Sequence, residues 1–177
     1  MELLDVVDEN NNLTGKLEDK DIIHKKGLWH REIAILIQNE KGEYLIQKRS
    51  ANKKQAPNKW CLTAGHVDAG EEYIKAAIRE AKEEIGINIA EEELITLGLF
   101  KQPFKNNITT NNNFTKYYYY KTDKKIEEYK IQLEELSQVK YISLKELERI
   151  IKEKDENYAF SRRDAMQEIL KLLKAYK

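Results

Sequence analysis

The chain has 177 residues, and its 31 Lys and Arg residues are balanced by 31 Asp and Glu residues. Because the formal net charge is zero, we expect neither nucleic acid nor an anionic membrane as a partner. One cysteine excludes an internal disulfide framework, and no apolar run approaches the length of a membrane span or a secretory signal, which predicts a cytoplasmic protein.

The first part of the chain is predicted to form mainly β-strands. A strand is expected at residues 3–7 (LLDVV), and the asparagines of residues 10–12 form the turn that follows it. Residues 29–38 and 43–48 are rich in residues that favour strands, and the NEKG segment between them is typical of a hairpin. Residues 50–58 then form a polar loop.

An acidic helix is predicted within residues 65–87, which read GHVDAGEEYIKAAIREAKEEIGI. Glu80, Glu83 and Glu84 follow one another at helical spacing, so their three carboxylates share one face. Apolar residues recur on a different face, which we expect to pack on the core: Ile74, Ala77, Ile78, Ala81 and Ile85.

The three carboxylates predict a metal site. Acids crowded on one face repel each other, and a divalent cation removes that penalty. Oxygen ligands suit Mg²⁺, with Mn²⁺ as a substitute, and protein-bound Mg²⁺ is commonly shared with substrate phosphates. Arg79 lies four residues before Glu83 and can pair with it or reach back to Glu71, which would orient the acids. A solvated acidic face is the alternative reading of such a charge run.

Three further strands are predicted after the acidic helix. They lie at residues 94–100, 114–121 and 139–142, with a loop rich in Asn and Thr between the first two. The second of these strands contains four consecutive tyrosines, Tyr117 to Tyr120. We expect these side chains to alternate between the core and its rim, because successive residues of a strand point to opposite faces.

Two helices are predicted at the end of the chain. The first covers residues 143–152, and the second begins at Ser161, where Ser161 and Asp164 are spaced like a capping box. The apolar stripe of the last helix could meet a partner subunit, which leaves a monomer and a homodimer open. Packing of that stripe on the protein's own sheet is the simpler arrangement.

The spacing within residues 65–87 resembles a known signature. It reads G-x5-E-x7-R-E-U-x-E-E-x-G-U, where U is apolar, and it resembles the Nudix box of the Nudix hydrolase superfamily. The resemblance implies an α+β fold with a mixed β-sheet between α-helices, which agrees with the order of the predicted elements. We expect a single domain over residues 1–177, with a core in about residues 28–155 and a C-terminal helix in residues 160–177.

The resemblance also implies a reaction. Nudix hydrolases cleave a nucleoside diphosphate linked to another moiety by attack of water at phosphorus, with Mg²⁺ as the cofactor. The expected partner is therefore a phosphorylated small molecule. Glu80 and Glu84 are implied as the primary Mg²⁺ ligands, Glu83 as a third ligand, and the Gly65 carbonyl as a backbone ligand.

Several catalytic and substrate-binding roles remain open between candidates. Glu80 and Glu83 are the nearest candidates for the general base, and Arg79 and Glu71 support the catalytic carboxylates. A downstream loop offers two alternative bases, and the strand before the box ends in two cations that could grip phosphate: Glu134 and Glu135, and Lys48 and Arg49. An exposed strand end without a role in binding is the alternative for the two cations.

The surrounding segments resemble the branch related to isopentenyl-diphosphate isomerase. The segments DVVDENNNLTG and PNKWCLTAGHVDAGE carry this resemblance. The isomerase pattern has a catalytic cysteine where this chain has Ala64, and it needs an acid in the stretch that corresponds to residues 111–116, which has none. We therefore expect a hydrolase. An isomerase-like enzyme and a non-catalytic nucleotide-binding Nudix module are the alternatives.

All three histidines of the chain fall where the isomerase branch has histidine metal ligands. Neutral imidazoles of His24, His30 and His66 could form a second metal site. The alternative is that His24 and His30 order the early loop through hydrogen bonds and that His66 supports the box. The lack of an acid in residues 111–116 favours this structural role.

Overall fold

The computed structural model describes residues 2–105, 110–160 and 164–175. Within these residues the strands are β1 (Leu3–Val7), β2 (Leu13–Asp19), β3 (His30–Asn39), β4 (Tyr44–Arg49), β5 (Trp60–Cys61), β6 (Thr63–His66), β7 (Ile95–Lys105), β8 (Thr110–Thr122) and β9 (Leu136–Ile142). The helices are α1 (Lys20–Lys26), α2 (Tyr73–Ile85), α3 (Leu144–Glu153) and α4 (Ala165–Ala175).

Seven strands form the central sheet. Its main order is β5-β4-β3-β8-β7, with β6 paired to β3 and β9 paired to β4. The β3 and β8 strands run parallel, and the other pairs are antiparallel. The β1 and β2 strands form a separate two-stranded sheet. The predicted α+β fold with a mixed sheet between helices is confirmed.

The four tyrosines of β8 show that both faces of the sheet are covered. Tyr117 and Tyr119 belong to a core cluster that includes residues of α3 and α4, whereas Tyr118 and Tyr120 belong to a cluster that includes residues of α2. All four side chains are buried. The prediction that they alternate between core and rim was wrong, because a helical layer lies on each side of this strand.

The acidic helix lies between the sheet and the cavity described below. Ala77, Ala81 and Ile85 are buried against the sheet, as the apolar stripe predicts. Gly86 ends the helix with φ +70°, a conformation that glycine adopts without strain. Because the helix axis is held in this way, its acidic face is directed toward β6 and the end of β4.

The N-terminal segment contains elements that the sequence did not predict. The α1 helix is only seven residues long, and Asp19 caps it by accepting a hydrogen bond from the Asp21 backbone N–H. The β5 and β6 strands are also short and lack an alternating pattern. The predicted helix start at Ser161 lies outside the described residues. In the described part of the chain no helix is both long and apolar enough to span a membrane.

Candidate functional site

Gly65 of β6 lies directly beneath the carboxylate of Glu80 in α2. A Cβ atom at Gly65 would overlap the Glu80 carboxyl group, so any side chain there would displace this acid. The backbone conformation of Gly65 is not one that only glycine adopts. The glycine is therefore required by the close approach of the acid and not by a turn.

Arg79 holds three acids of the predicted set together. Its Nε and Nη2 atoms donate to the two oxygens of Glu71 at 3.0 and 2.9 Å, a bidentate pair. Its Nη1 atom donates to Glu80 Oε1 at 2.8 Å and to Glu83 Oε2 at 3.4 Å. A further bond runs from Nη2 to the His66 carbonyl at 2.9 Å. Arg79 thus fixes the Glu80 carboxylate against the end of β6.

Glu84 is positioned by residues that sequence reasoning missed. Its side chain is buried, with 6% of the residue exposed, and Gln47 Nε2 donates to Glu84 Oε2 at 2.6 Å. The Thr63 hydroxyl donates to Gln47 Oε1 at 3.0 Å, which orients the amide. The available signal was strand alternation, because Gln47 shares a face with Arg49, which was predicted to bind substrate.

Burial of the two acids changes their ionisation. Desolvation raises the pKa of Glu84 to about 8, and the neighbouring charge of Glu80 adds to this shift. Desolvation also raises the pKa of Glu80 to about 7, although Arg79 acts in the opposite direction. Two buried carboxylates that resist ionisation are the donor set that a hard divalent cation compensates. The residues present therefore fit Mg²⁺ or Mn²⁺.

We expect the metal-free protein to lose stability as the pH rises from about 6.5 to about 8. The pKa values of Glu80 and Glu84 are raised above 4.5, so the unfolded chain releases two protons that the folded protein retains. This stabilisation is complete below pH 4.5 and is lost as the pH passes through 7 and 8. Burial lowers the pKa of His24 from 6.5 to about 4, which opposes the trend only below about pH 6.5.

Urea unfolding in EDTA at the two ends of this range measures the effect. The Glu80→Gln/Glu84→Gln variant should show no such loss, and Mg²⁺ should restore stability to the native protein at the higher pH. Equal free energies of unfolding for the native protein at both pH values would contradict the prediction.

A cavity of about 920 Å³ opens in front of these acids. Eight of the residues proposed from the sequence for metal binding, catalysis or phosphate binding line it: Arg49, Gly65, Arg79, Glu80, Glu83, Glu84, Glu134 and Glu135. Glu71 lies behind Arg79 and is not a lining residue. Lys48 is not a lining residue either, and its Nζ atom lies 6.0 Å from the centre of the Trp60 ring. Strand alternation directs Arg49 toward the cavity and Lys48 away from it.

The three histidines gather beside this cavity around a fourth residue, Glu32. One ligand atom from each of His24, His30, His66 and Glu32 lies within 4.8 Å of the others. The Nε2 atoms of His30 and His66 lie 3.5 and 3.8 Å from Glu32 Oε1. Glu32 was not predicted from the sequence, because an acid was expected only in residues 111–116. It lies on β3, which pairs with the parallel strand β8.

Hydrogen bonds at the outer nitrogens define the tautomers of two rings. His30 Nδ1 lies 3.1 Å from the Leu28 carbonyl, which can only accept, so Nδ1 carries the proton. His66 Nδ1 faces Glu2 Oε1 at 3.1 Å in the same way. In the neutral form of each ring, the lone pair is then on the Nε2 atom. These atoms and His24 Nε2 are buried without a hydrogen-bond partner among the described residues.

The cluster therefore places ring lone pairs opposite a carboxylate oxygen. Burial keeps His24 neutral near pH 7 because it lowers the pKa of this ring to about 4. Such an arrangement is repulsive unless a cation lies between the groups, and imidazole with carboxylate suits a transition metal. The sequence favoured a purely structural role for the three histidines because residues 111–116 contain no acid. Glu32 supplies that acid, so this reason no longer holds.

Comparisons with known proteins identify the family of this chain. A family model for the NUDIX domain matches residues 28–164. The chain is 34% identical over 157 residues to an uncharacterised Nudix hydrolase of Clostridium acetobutylicum, covering 86% of this chain and 75% of that protein. An isopentenyl-diphosphate Delta-isomerase of Pectobacterium atrosepticum is 37% identical over 93 residues, covering 52% of this chain and 51% of that protein.

A solved structure shows the same fold. The crystal structure of a Deinococcus radiodurans protein superposes with a TM-score of 0.73 at 22% identity, covering 97% of this chain and 99% of that one. The partial isomerase match fits the predicted branch, and the family match extends over most of the chain, including the acidic helix. The chain belongs to the Nudix hydrolase family.

Proposed function

We propose that this protein is a Mg²⁺-dependent pyrophosphohydrolase that cleaves a diphosphate bond by attack of water at phosphorus. The observation that carries the proposal is a pair of acids, the buried Glu84 and the partly buried Glu80, which Gln47 and Arg79 hold at the edge of a large cavity. A nucleoside diphosphate linked to another moiety is the substrate class predicted from the sequence and the first to test.

Each box residue has a distinct task in this proposal. Glu80 and Glu84, with the Gly65 carbonyl, would hold Mg²⁺ or Mn²⁺, which leaves the Glu83 carboxylate for proton transfer. When bound, the ion neutralises diphosphate charge and acidifies the attacking water. Arg79 keeps the Glu80 carboxylate over Gly65 through a hydrogen bond at 2.8 Å.

Glu83 is the general base that we propose. Its side chain is 55% exposed and lines the cavity, and its contact with Arg79, at 3.4 Å, is longer than the contacts of Glu71 and Glu80 with the same guanidinium. Glu80 and Glu84 are instead engaged by short hydrogen bonds. Of the downstream candidates, Glu135 is bonded to Lys53, and Glu134 lines the cavity as the remaining alternative.

The two alternative functions have less support. An isomerase acting on a prenyl diphosphate would need an apolar channel for the prenyl group, and Ala64 is the only apolar side chain in the described lining of the cavity. Ala64 in this lining cannot supply the cysteine chemistry of the isomerase branch. A non-catalytic module would not need the three box carboxylates that this chain retains.

A substrate screen tests the proposed function. The purified protein is incubated with Mg²⁺ and nucleoside diphosphate sugars, dinucleotides, nucleoside di- and triphosphates, or prenyl diphosphates, and the products are separated by ion-exchange chromatography. We expect metal-dependent cleavage of a diphosphate bond that EDTA abolishes. The absence of cleavage with both Mg²⁺ and Mn²⁺ would contradict the proposal. Isopentenyl conversion without phosphate release would favour the isomerase alternative.

We also propose that the histidine cluster holds a second cation. Titration with Co²⁺ should give the visible absorption of a nitrogen- and oxygen-ligated ion, with one equivalent bound at this cluster. The Glu32→Gln and His66→Gln variants should lose this signal, whereas the exposed Glu40→Gln variant should keep it. An unchanged spectrum in both cluster variants would exclude the site.

A further inference from the structure

Four cations line one side of the cavity and are called the cationic rim below: Lys20, Arg49, Lys53 and Lys54. Lys20 begins α1, and the other three belong to the end of β4 and the loop that follows it. The box carboxylates line the same cavity. A substrate in this cavity would therefore contact both the acidic face of α2 and this group of cations.

Direct contacts hold the two parts of the cationic rim together. Lys54 Nζ lies 3.0 Å from Asp21 Oδ2 of α1, and the Gln55 side-chain amide lies 3.1 Å from His24 Nδ1 of the same helix. Arg49 Nε donates to the Gln55 carbonyl at 3.0 Å. The loop after β4 is thus attached to α1, so the cations are presented on a defined surface.

Three of the rim cations are paired with acids that also line the cavity, and one of these pairs is that of Lys54 with Asp21. Lys20 is bonded to Glu2, and Lys53 is bonded to Glu135. Only 25% of the Lys53 side chain is exposed. Each pair keeps an ammonium group beside the substrate space, and a phosphate can take the place of the carboxylate as its partner.

The described lining has no large aromatic or aliphatic side chain on which a base or an apolar chain could pack. None of its residues is Phe, Tyr, Trp, Leu, Ile, Val or Met, and Ala64 is its only residue with an apolar side chain. The imidazoles of His24 and His66 pack on each other, with ring centres 5.3 Å apart. Trp60 lies outside the lining, beneath Lys48 and Lys140.

We propose that this protein recognises its substrates through their phosphate groups, and that polyphosphorylated polar compounds are its ligands whether or not they carry a nucleobase. The inference rests on the proposed function, since it concerns the same cavity. It narrows the substrate class, because a stacked base typically contributes about five- to 150-fold in affinity, and the described lining has no Phe, Tyr or Trp ring for that contact.

Calorimetry with three probes tests the proposal. Inorganic tripolyphosphate, ATP and CTP are titrated into the full-length protein with Ca²⁺ in place of Mg²⁺ to limit turnover. We expect the three dissociation constants to agree within about threefold, because the base adds no contact. ATP or CTP binding more than about tenfold tighter than tripolyphosphate would overturn the proposal, as would the absence of binding by all three.

Two substitutions in the ion pair of Lys53 and Glu135 are expected to have opposite effects on binding of the probes. Lys53→Met should weaken binding of all three probes by about tenfold, because a charge-assisted contact is lost and Glu135 is left facing the phosphates. Glu135→Gln should instead leave binding unchanged or strengthen it, because it frees Lys53 and removes a negative charge. The exposed Lys41→Met variant, in the hairpin turn, is the control for a change in net charge.

The outcomes separate the inference from the proposed function. Weaker binding in both Lys53→Met and Glu135→Gln would indicate that the pair has only a structural role and would overturn the inference. Phosphate-dependent binding that is lost in Lys53→Met, together with no cleavage of any compound in the Mg²⁺ screen, would support the inference and contradict the hydrolase proposal.

Discussion

Replacing Glu84 by glutamine is expected to lower kcat by about 10³-fold while raising the stability of the metal-free protein. Glu84 is buried, and the pKa of its carboxyl group is raised to about 8 by desolvation. The glutamine amide cannot serve as an anionic ligand for Mg²⁺, but it can accept the hydrogen bond from Gln47. The variant therefore loses the charge that the reaction requires and also the charge that burial penalises.

Steady-state hydrolysis and urea unfolding at pH 8 in EDTA provide the two measurements. Glu92→Gln, on the exposed segment after α2, is the matched control and should alter neither. Turnover equal to that of the native protein in Glu84→Gln would remove this carboxylate from the mechanism. A loss of stability in the variant would show that the buried carboxylate contributes to the fold.

Replacing Gly65 by alanine is expected to lower kcat by about 10²-fold with little loss of stability. The new Cβ would overlap the Glu80 carboxyl group, which would have to move because β6 is paired to β3 and cannot yield. A displacement of about 1 Å in a catalytic group commonly costs about 10²-fold in rate. The backbone of Gly65 is not strained, so alanine itself is tolerated at this residue.

The Gly15→Ala variant separates the two ways in which a glycine can matter. Gly15 has φ +77° and open space around it, so alanine there should cost about 1 kcal/mol of stability and leave kcat unchanged. Gly65→Ala should show the reverse, together with weaker Mg²⁺ binding by calorimetry. Native-like kcat and metal affinity in Gly65→Ala would contradict the proposed contact with Glu80.

The acidic helix was predictable from the sequence because its information is local. The apolar stripe with Ala77, Ala81 and Ile85 fixes which face packs on the sheet, and the spacing of Glu80 and Glu84 places both acids on the adjacent face. The alternation of β4 could likewise have indicated that Arg49, and not Lys48, faces the cavity. Both features follow from the regular periods of helices and strands, which a short segment of sequence is enough to show.

The histidine cluster was only partly predictable because it depends on strand order. The sequence identified His24, His30 and His66, but the acid was sought in the wrong strand. Glu32 lies two residues after His30 on the same strand, and the parallel pairing of β3 with β8 places these side chains beside Asn111 and Asn113. The alternation of residues within a strand does not indicate which strands become its neighbours in the sheet.

By itself, the sequence determined the family and the acidic helix, and it predicted carboxylate ligands for a metal, because these features depend on residue types at short spacing. Only the tertiary structure decided the burial of Glu84 under Gln47, the approach of Glu80 to Gly65, and the joining of α1 to the loop after β4. These features depend on contacts between residues far apart in the chain. The pKa values of the acids and the character of the cavity therefore follow from packing, which local patterns do not encode.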